Sequence, residues 1–205
     1  MNTQPPRDVL VIGAGIAGAS AALHLADAGR HVTVLARTAL DGSASAQSLG
    51  GIAAAIGPDD SPALHLADTL AVGGELCREA TVRGVVERAP ECIDWLIAQG
   101  VAFDHTGDGL DLAREGAHSR RRIVHAADAT GQVVMAALGR RLEAHPRITL
   151  MRHHIAAELL VRGTATSPGG RACIGARVLD ERHGLLRELH ADHVVVRELH
   201  ADHVV

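Results

Sequence analysis

Aromatic side chains are all but missing: the 205-residue chain holds one Trp (Trp95), one Phe (Phe103) and no Tyr. It has no stacking platforms for exposed bases, and a formal net charge of -4 offers no polycationic face to a phosphate backbone, so nucleic acid is not expected as the main partner. Cysteine is scarce as well. Cys77, Cys92 and Cys173 lie far apart with no Cys-x-x-Cys pair, which fits buried thiols in a reducing compartment rather than a disulfide framework. No apolar run approaches the roughly 18 residues of a membrane span, and the N-terminus Met-Asn-Thr-Gln-Pro-Pro lacks a signal-peptide pattern, so no membrane partner is expected and the expected compartment is the cytoplasm. Histidine is plentiful, but neither His153-His154 nor His190 with His193 is completed by a second cluster at zinc-like spacing, and no metal site is expected.

What the chain does have is a strand, a glycine turn, a helix and a second strand in immediate succession. Val9 to Ile12 is an apolar run of the kind a strand buried on both faces needs, and it breaks at Gly13, Gly15 and Gly18 in the G-x-G-x-x-G spacing. Gly13 allows the tight turn, Gly15 lets the backbone approach a pyrophosphate, and Gly18 lets the helix pack close on the strand, while the helix start supplies free N–H groups and a positive dipole. Ala19, Ala22, Leu23 and Ala26 form the helix's buried face, Gly29 ends it, and His31 to Leu35 is the second strand. These features predict a Rossmann-like α/β fold around a dinucleotide cradle. The place that usually holds Asp or Glu for a ribose hydroxyl holds Ala36-Arg37; a cation there suits a phosphate better, which leaves NADP or an unusual FAD site open.

Residues 38 to 56 are small and hydroxyl-rich, and Gly50-Gly51 exposes backbone N–H groups suited to a polar ring edge or a phosphate. Ser61-Pro62 reads as a helix start with Leu64, Ala67 and Ala71 on its buried face, closed by Gly73-Gly74. Glu79 to Ala98 is helical, divided at Pro90, with Ile93, Trp95, Leu96 and Ile97 as core. Residues 104–109 are a polar turn. Arg114 to Arg122 combines a carboxylate, an imidazole and guanidinium groups, either a solvated basic loop or an anion site. A helix starts near Thr130 with Val133, Val134, Ala137, Leu138 and Leu142 inward. Strands are expected at 148–151, 159–161 and 172–179, a loop at 164–171, and a further strand after the turn at 181–184. Arg187-Glu-Leu-His-Ala-Asp-His-Val-Val is repeated word for word at Arg197 to Val205; two such copies fall short of the roughly three longer units of a repeat architecture, and the second is expected to be an artefact.

Four stretches carry a resemblance: Val11-Ile-Gly-Ala-Gly-Ile-Ala-Gly18; Gly50-Gly51-Ile-Ala-Ala; Asp60-Ser61 through His65 to Asp68-Thr69-Leu70; and Arg114-Glu115-Gly116-Ala117-His118-Ser119 followed by Arg122-Ile-Val-His-Ala-Ala-Asp-Ala-Thr-Gly131. Over residues 8 to 195 the chain resembles the flavoprotein family of the succinate dehydrogenase and fumarate reductase flavoprotein subunits, in its L-aspartate oxidase branch. The resemblance implies a flavoprotein of the GR2 type, truncated: residues 1–195 as the incomplete N-terminal part of the FAD-binding domain, 196–205 as the duplicated tail, and the capping and helical domains absent.

The implied cofactor is FAD, held non-covalently. Gly13, Ala14, Gly15, Ile16, Ala17 and Gly18 would bind the cofactor, with Ala14 to Ala17 meeting the pyrophosphate, and Arg37 stands where the family has a lysine. Ser43, Ala44, Ser45, Ala46, Gln47, Ser48, Leu49, Gly50 and Gly51 would wrap the flavin and its phosphates, and Ala156-Ala157 would contact the adenine end. No histidine lies in residues 43–51, whereas the dehydrogenase relatives attach FAD through one there. The implied reaction takes hydride from the α-carbon of L-aspartate to the flavin, giving iminoaspartate, with oxygen or fumarate as acceptor, in NAD biosynthesis. Glu115 resembles the glutamate that orients the substrate's amino group, and His118 and Arg122 would support it or contact carboxylates. Channelling to a quinolinate-forming enzyme is a further implication.

The pattern departs from the family in three places. Gln47 is separated from Gly50-Gly51 by Ser48-Leu49, Ala117 stands where a glycine is usual, and the family's continuation beyond residue 195 is missing, so the chain as given is not expected to turn over aspartate. Other readings are a fumarate reductase or succinate dehydrogenase flavoprotein, and a non-catalytic nucleotide-binding remnant.

Overall fold

The computed structural model describes residues 8–163 and 170–196. Its elements follow in the order β1 (Val9–Ile12), α1 (Ile16–Asp27), β2 (Val32–Ala36), β3 (Ile52–Ala53), α2 (Pro62–Gly73), α3 (Glu79–Ala98), β4 (His105–Thr106), β5 (Gly109–Leu110), β6 (Leu112–Ala113), β7 (Ile123–Val124), α4 (Thr130–Ala144), β8 (Ile148–Arg152), β9 (His154–Arg162), β10 (Ala172–Asp180), β11 (Leu185–His190) and β12 (His193–Val196). The chain forms two units, one made of the segments up to Ser45 and from Leu138 onward, the other of Ala46–Ala137.

The first unit is built on a parallel sheet in the order β12-β1-β2-β8. Val9 to Val11 and all of β2 are buried, as continuous apolar strands of a parallel sheet must be. The expected face of α1, Ala19, Ala22, Leu23 and Ala26, is the buried one. An antiparallel sheet in the order β11-β10-β9 completes the unit, and Leu10 and Leu35 of the parallel sheet pack with Ala176, Val178 and Leu189 of the antiparallel one into a single core. A β-bulge at Gly175 makes the close approach possible: its φ is +153°, and a side chain there would run into the Leu189 carbonyl. The first copy of the duplicated nonapeptide supplies most of β11 and β12, with Val9 to Ile12 paired in register to His193 to Val196. The expected loop at 164–171 lies largely, and the second copy wholly, outside the described residues.

The second unit joins helices to small sheets. Ser61 caps α2 through its hydroxyl, which accepts from the Leu64 amide at 3.3 Å, with Pro62 at the first helical position as expected. The inward face of α2 differs from the expected one. Leu64, Ala67 and Ala71 are exposed, and His65 and Leu66 are buried. Hydrophobic spacing misled here because this face covers a buried ion cluster rather than an apolar core. Helix α3 also differs, running unbroken through Pro90, with Val86, Ile93 and Leu96 buried. These residues lie seven and three positions apart on one face, so the packing on both sides of Pro90 keeps the halves aligned despite the lost amide. Trp95 is half-buried and Ile97 exposed, so the core of this helix is narrower than expected. β3, β7 and β6 form a small antiparallel sheet, and β4 and β5 a hairpin at the polar turn. The division between units falls inside α4: Val134, Met135 and Ala137 are buried on one side of it, Leu138 and Leu142 on the other. No helix among the described residues is long and apolar enough to cross a membrane.

Candidate functional site

In the first unit the glycine turn is realised between β1 and α1. Gly13 adopts φ +105° and donates its amide to the Leu35 carbonyl at 3.0 Å, tying the turn to β2. A side chain at Gly18 would lie inside contact distance of the Gly13 carbonyl, so helix and turn meet backbone to backbone. Gly15 is the N-cap of α1 and carries no capping side chain of its own. Its place is filled from elsewhere in the chain, by the Ser45 hydroxyl, which accepts from the Ile16 amide at 3.2 Å.

Two clefts flank this turn. One, of about 430 Å3, is lined by Val11 to Gly13, Gly15 to Gly18, Ser45 and Val195. The other, of about 180 Å3, is lined by Gly13 to Gly15, Ala36 to Leu40 and Gly42 to Ala44. The structure thus brings Gly13, Ala14, Gly15, Ile16, Ala17, Gly18, Arg37, Ser43, Ala44 and Ser45 around one turn. Arg37 is exposed at the end of β2. Ala156 packs on the hydrophobic core of the unit and Ala157 is exposed; neither lines these clefts. Val195 went unrecognised, although the run of valines that makes β12 was visible.

Ala46 to Gly51 belong to the second unit. Ala46 is buried, Gln47 to Gly50 are exposed, and Leu49 stands 71% open to solvent. A side chain at Gly51 would collide with Ile123 and the Val124 carbonyl, so this glycine lets the segment lie flat on β7.

The chemistry of the second unit centres on Arg122, whose side chain is completely buried. A buried cation survives only if its N–H groups are matched. Nε and Nη2 both donate to the Asp60 carboxylate at 2.8 Å, a bidentate pair, and Nη1 donates to Asp68 Oδ2 at 2.8 Å and to His118 Nδ1 at 3.3 Å. Burial opposes the charge, but the bonds and charges of Asp60 and Asp68 outweigh it and hold the guanidinium proton more firmly than usual. Asp68 Oδ2 also takes the Ser119 amide and hydroxyl, each at 2.8 Å. The Ser119 amide leads in holding the Asp68 carboxyl below the usual range, against desolvation, with the Ser119 hydroxyl and Arg122 adding to it.

His65 is buried with its ring 5.8 Å from that of His118, and its Nδ1 has no partner among the described residues. Burial first, then the charge of Arg122, pushes its pKa down, so it sits in the fold as a neutral imidazole. Glu115 is exposed on the same loop. Its carbonyl accepts from the His118 amide at 3.3 Å across a turn in which Ala117 takes φ +69°, the conformation that explains why glycine is usual there. Beside this loop a polar depression is lined by Asp59, Arg114, Ser119, Arg120 and Arg121.

Of the three residues expected to act on substrate, the structure brings His118 and Arg122 into contact and keeps Glu115 one turn away. Arg122, expected either to support the loop or to contact a carboxylate, has no exposed surface and spends its bonds on Asp60, Asp68 and His118, an arrangement that suits support of the loop. Asp60, His65 and Asp68 stood inside a recognised stretch, but only the structure shows that they enclose Arg122. A separate group joins His125 to Asp104 at 3.0 Å and to Asp111 at 3.7 Å, holding the β4–β5 hairpin to the segment after β7.

Among known proteins, the sequence model of the family described as FAD binding domain matches residues 8–204. The chain is 44% identical over 187 residues to L-aspartate oxidase 1 of Ralstonia nicotianae, covering 90% of this chain and 35% of that protein. It is 51% identical over 155 residues to the L-aspartate oxidase of Mesorhizobium japonicum, covering 74% of this chain and 30% of that protein. It therefore spans about a third of the length of these curated relatives. Among solved structures, a variant of the E. coli quinol fumarate reductase superposes with a TM-score of 0.84 at 26% identity, covering 94% of this chain and 32% of that one. The Sdh1 complex of Mycobacterium smegmatis gives 0.83 at 26%, covering 94% and 34%. A cradle that only glycines can form, on the parallel sheet it requires, thus coincides with a family match over almost the whole sequence, and the chain belongs to the FAD-binding domain family.

Proposed function

We propose that this chain is the FAD-binding part of an L-aspartate oxidase, which converts L-aspartate to iminoaspartate with oxygen or fumarate as electron acceptor. The observation that carries the reading is the glycine turn with its two clefts, in a chain 40–51% identical to several L-aspartate oxidases. The residues present suit a dinucleotide. Gly18 and Gly13 meet without side chains, Gly15 brings no side chain of its own to the helix start, where Ser45 takes the Ile16 amide, and Arg37 places a cation at the end of β2. Gly13 to Gly18, Arg37 and Ser43 to Ser45 would hold FAD in the first unit. Residues 46–51 and Ala156-Ala157 are proposed contacts on the strength of the family pattern alone. FAD, when bound, supplies the two-electron acceptor that no side chain provides.

The chain's own residues recognise and orient. Glu115 is a carboxylate suited to an ammonium group, and the loop that bears it is fixed from beneath by Arg122, Asp60 and Asp68. The family match runs through both units, which supports reading residues 8–195 as one FAD-binding domain with residues 46–137 inserted between its first two strands and its third. The absence of histidine from residues 43–51 supports non-covalent FAD. The repeat from Arg197 is read as an artefact. Cytoplasmic placement and channelling of the product to a quinolinate-forming enzyme belong to the same reading.

Titration of the purified protein with FAD is expected to quench flavin fluorescence and give a yellow protein, and Gly18→Val to abolish both. A folded wild-type protein that ignores FAD would sink the proposal. Within a chain of the relatives' length, turnover of L-aspartate rather than succinate separates this reading from a succinate or fumarate flavoprotein.

A further inference from the structure

His118 has two ring nitrogens in unlike settings. Nδ1 faces Arg122 Nη1 at 3.3 Å. Arg122 can only donate, and with its proton held by Asp60 and Asp68 it does not lose the charge, so Nδ1 must be the acceptor and carry no hydrogen. The proton of the neutral ring then sits on Nε2. Nε2 has no partner among the described residues and, unlike His65 Nδ1, is not sealed from solvent. The His118 amide is bonded to the Glu115 carbonyl at 3.3 Å, so the two residues are opposite ends of one turn.

We propose that Arg122 is a positioning residue that locks His118 in its Nε2–H tautomer, and that His118 acts as a neutral hydrogen-bond donor to a substrate carboxylate rather than as a base. The loop then offers two groups of opposite habit: the Glu115 carboxylate for an ammonium and the His118 N–H for a carboxylate, the two ends of an α-amino acid. Asp60 and Asp68 are the anchors of this arrangement. They spend their charge on Arg122, so neither competes for the ammonium. The assignment of the substrate as an amino acid rests on the L-aspartate reading above; the tautomer does not.

The test begins with nitrogen-15 spectra of the 205-residue protein at neutral pH, with His118 identified by its loss in His118→Gln. The expected result is a ring protonated at Nε2 and bare at Nδ1; the opposite tautomer, or an imidazolium, overturns the proposal. Titration with L-aspartate and, separately, succinate is then followed at the same signal in the wild-type protein, and in the wild type and both variants at the backbone amide signals of residues 114–122. His118→Gln, whose side-chain amide can replace Nε2–H, should keep affinity within about threefold, whereas His118→Ala should lose about tenfold. Equal losses in both, or a wild-type signal that neither ligand moves, overturn the donor role. A signal moved by succinate and not by L-aspartate keeps the donor and removes the aspartate reading.

Discussion

The two units hold themselves together by opposite means. In the first, Leu10, Leu35, Ala176, Val178 and Leu189 form an apolar core, and glycines bring backbones into contact at the turn. In the second, the largest fully buried side chain is a charged one, Arg122. An apolar core loses stability by degrees as atoms are removed, whereas a buried ion cluster is all or nothing, because any member left alone is an uncompensated charge.

Arg122→Met should show this most strongly. It strands the carboxylate of Asp60, whose side chain is fully buried, and is expected to destabilise the second unit by about 3–5 kcal/mol in urea melts followed by nitrogen-15 signals of that unit. A loss below about 1 kcal/mol would erase the contrast. Gly18→Val forces a side chain against the Gly13 carbonyl; about 1–3 kcal/mol of stability and all FAD binding should go, with signals from residues 46–137 unmoved. Ala117→Gly should go the other way. It relieves a left-handed alanine and is expected to stabilise the loop by about 1 kcal/mol in the same melts.

The smallest effect expected is that of pH. His65 has its pKa lowered in the fold, so as pH falls through the ordinary imidazole value of 6.5 the unfolded chain takes up a proton that the folded chain refuses. Stability of the second unit should therefore fall between neutral pH and the lowered value, and His65→Leu should flatten that slope. Asp68, with its pKa lowered, contributes above the carboxylate range and loses its contribution only in stronger acid.

The same contrast decides what the sequence discloses. The order β1–α1–β2 and the buried face of α1 could be read, with β2 one residue further along than expected, because period and glycine spacing report on an apolar interior. α2 could not, since beside Leu66 its inward face carries His65 and the partly buried Asp68, which hydropathy assigns to solvent. Arg122, which bonds Asp68, lies more than fifty positions away in a run of arginines where only one is buried. Pro90 misled for a related reason: local rules end a helix that packing on Val86, Ile93 and Leu96 keeps whole. One strand was legible after the turn at 181–184 where the structure has two, β11 and β12, and the place of β12 beside β1 is a long-range fact that no local pattern carries.

One oxygen of Asp68 receives the Ser119 amide, the Ser119 hydroxyl and Arg122 Nη1, which makes it a latch between α2 and the run Arg120-Arg121-Arg122. That run is a ready substrate for trypsin by composition, yet cleavage needs several residues of slack around the scissile bond. Digestion there should therefore wait until α2 lets go, and the rate of nicking becomes a clock for the release of that single carboxylate.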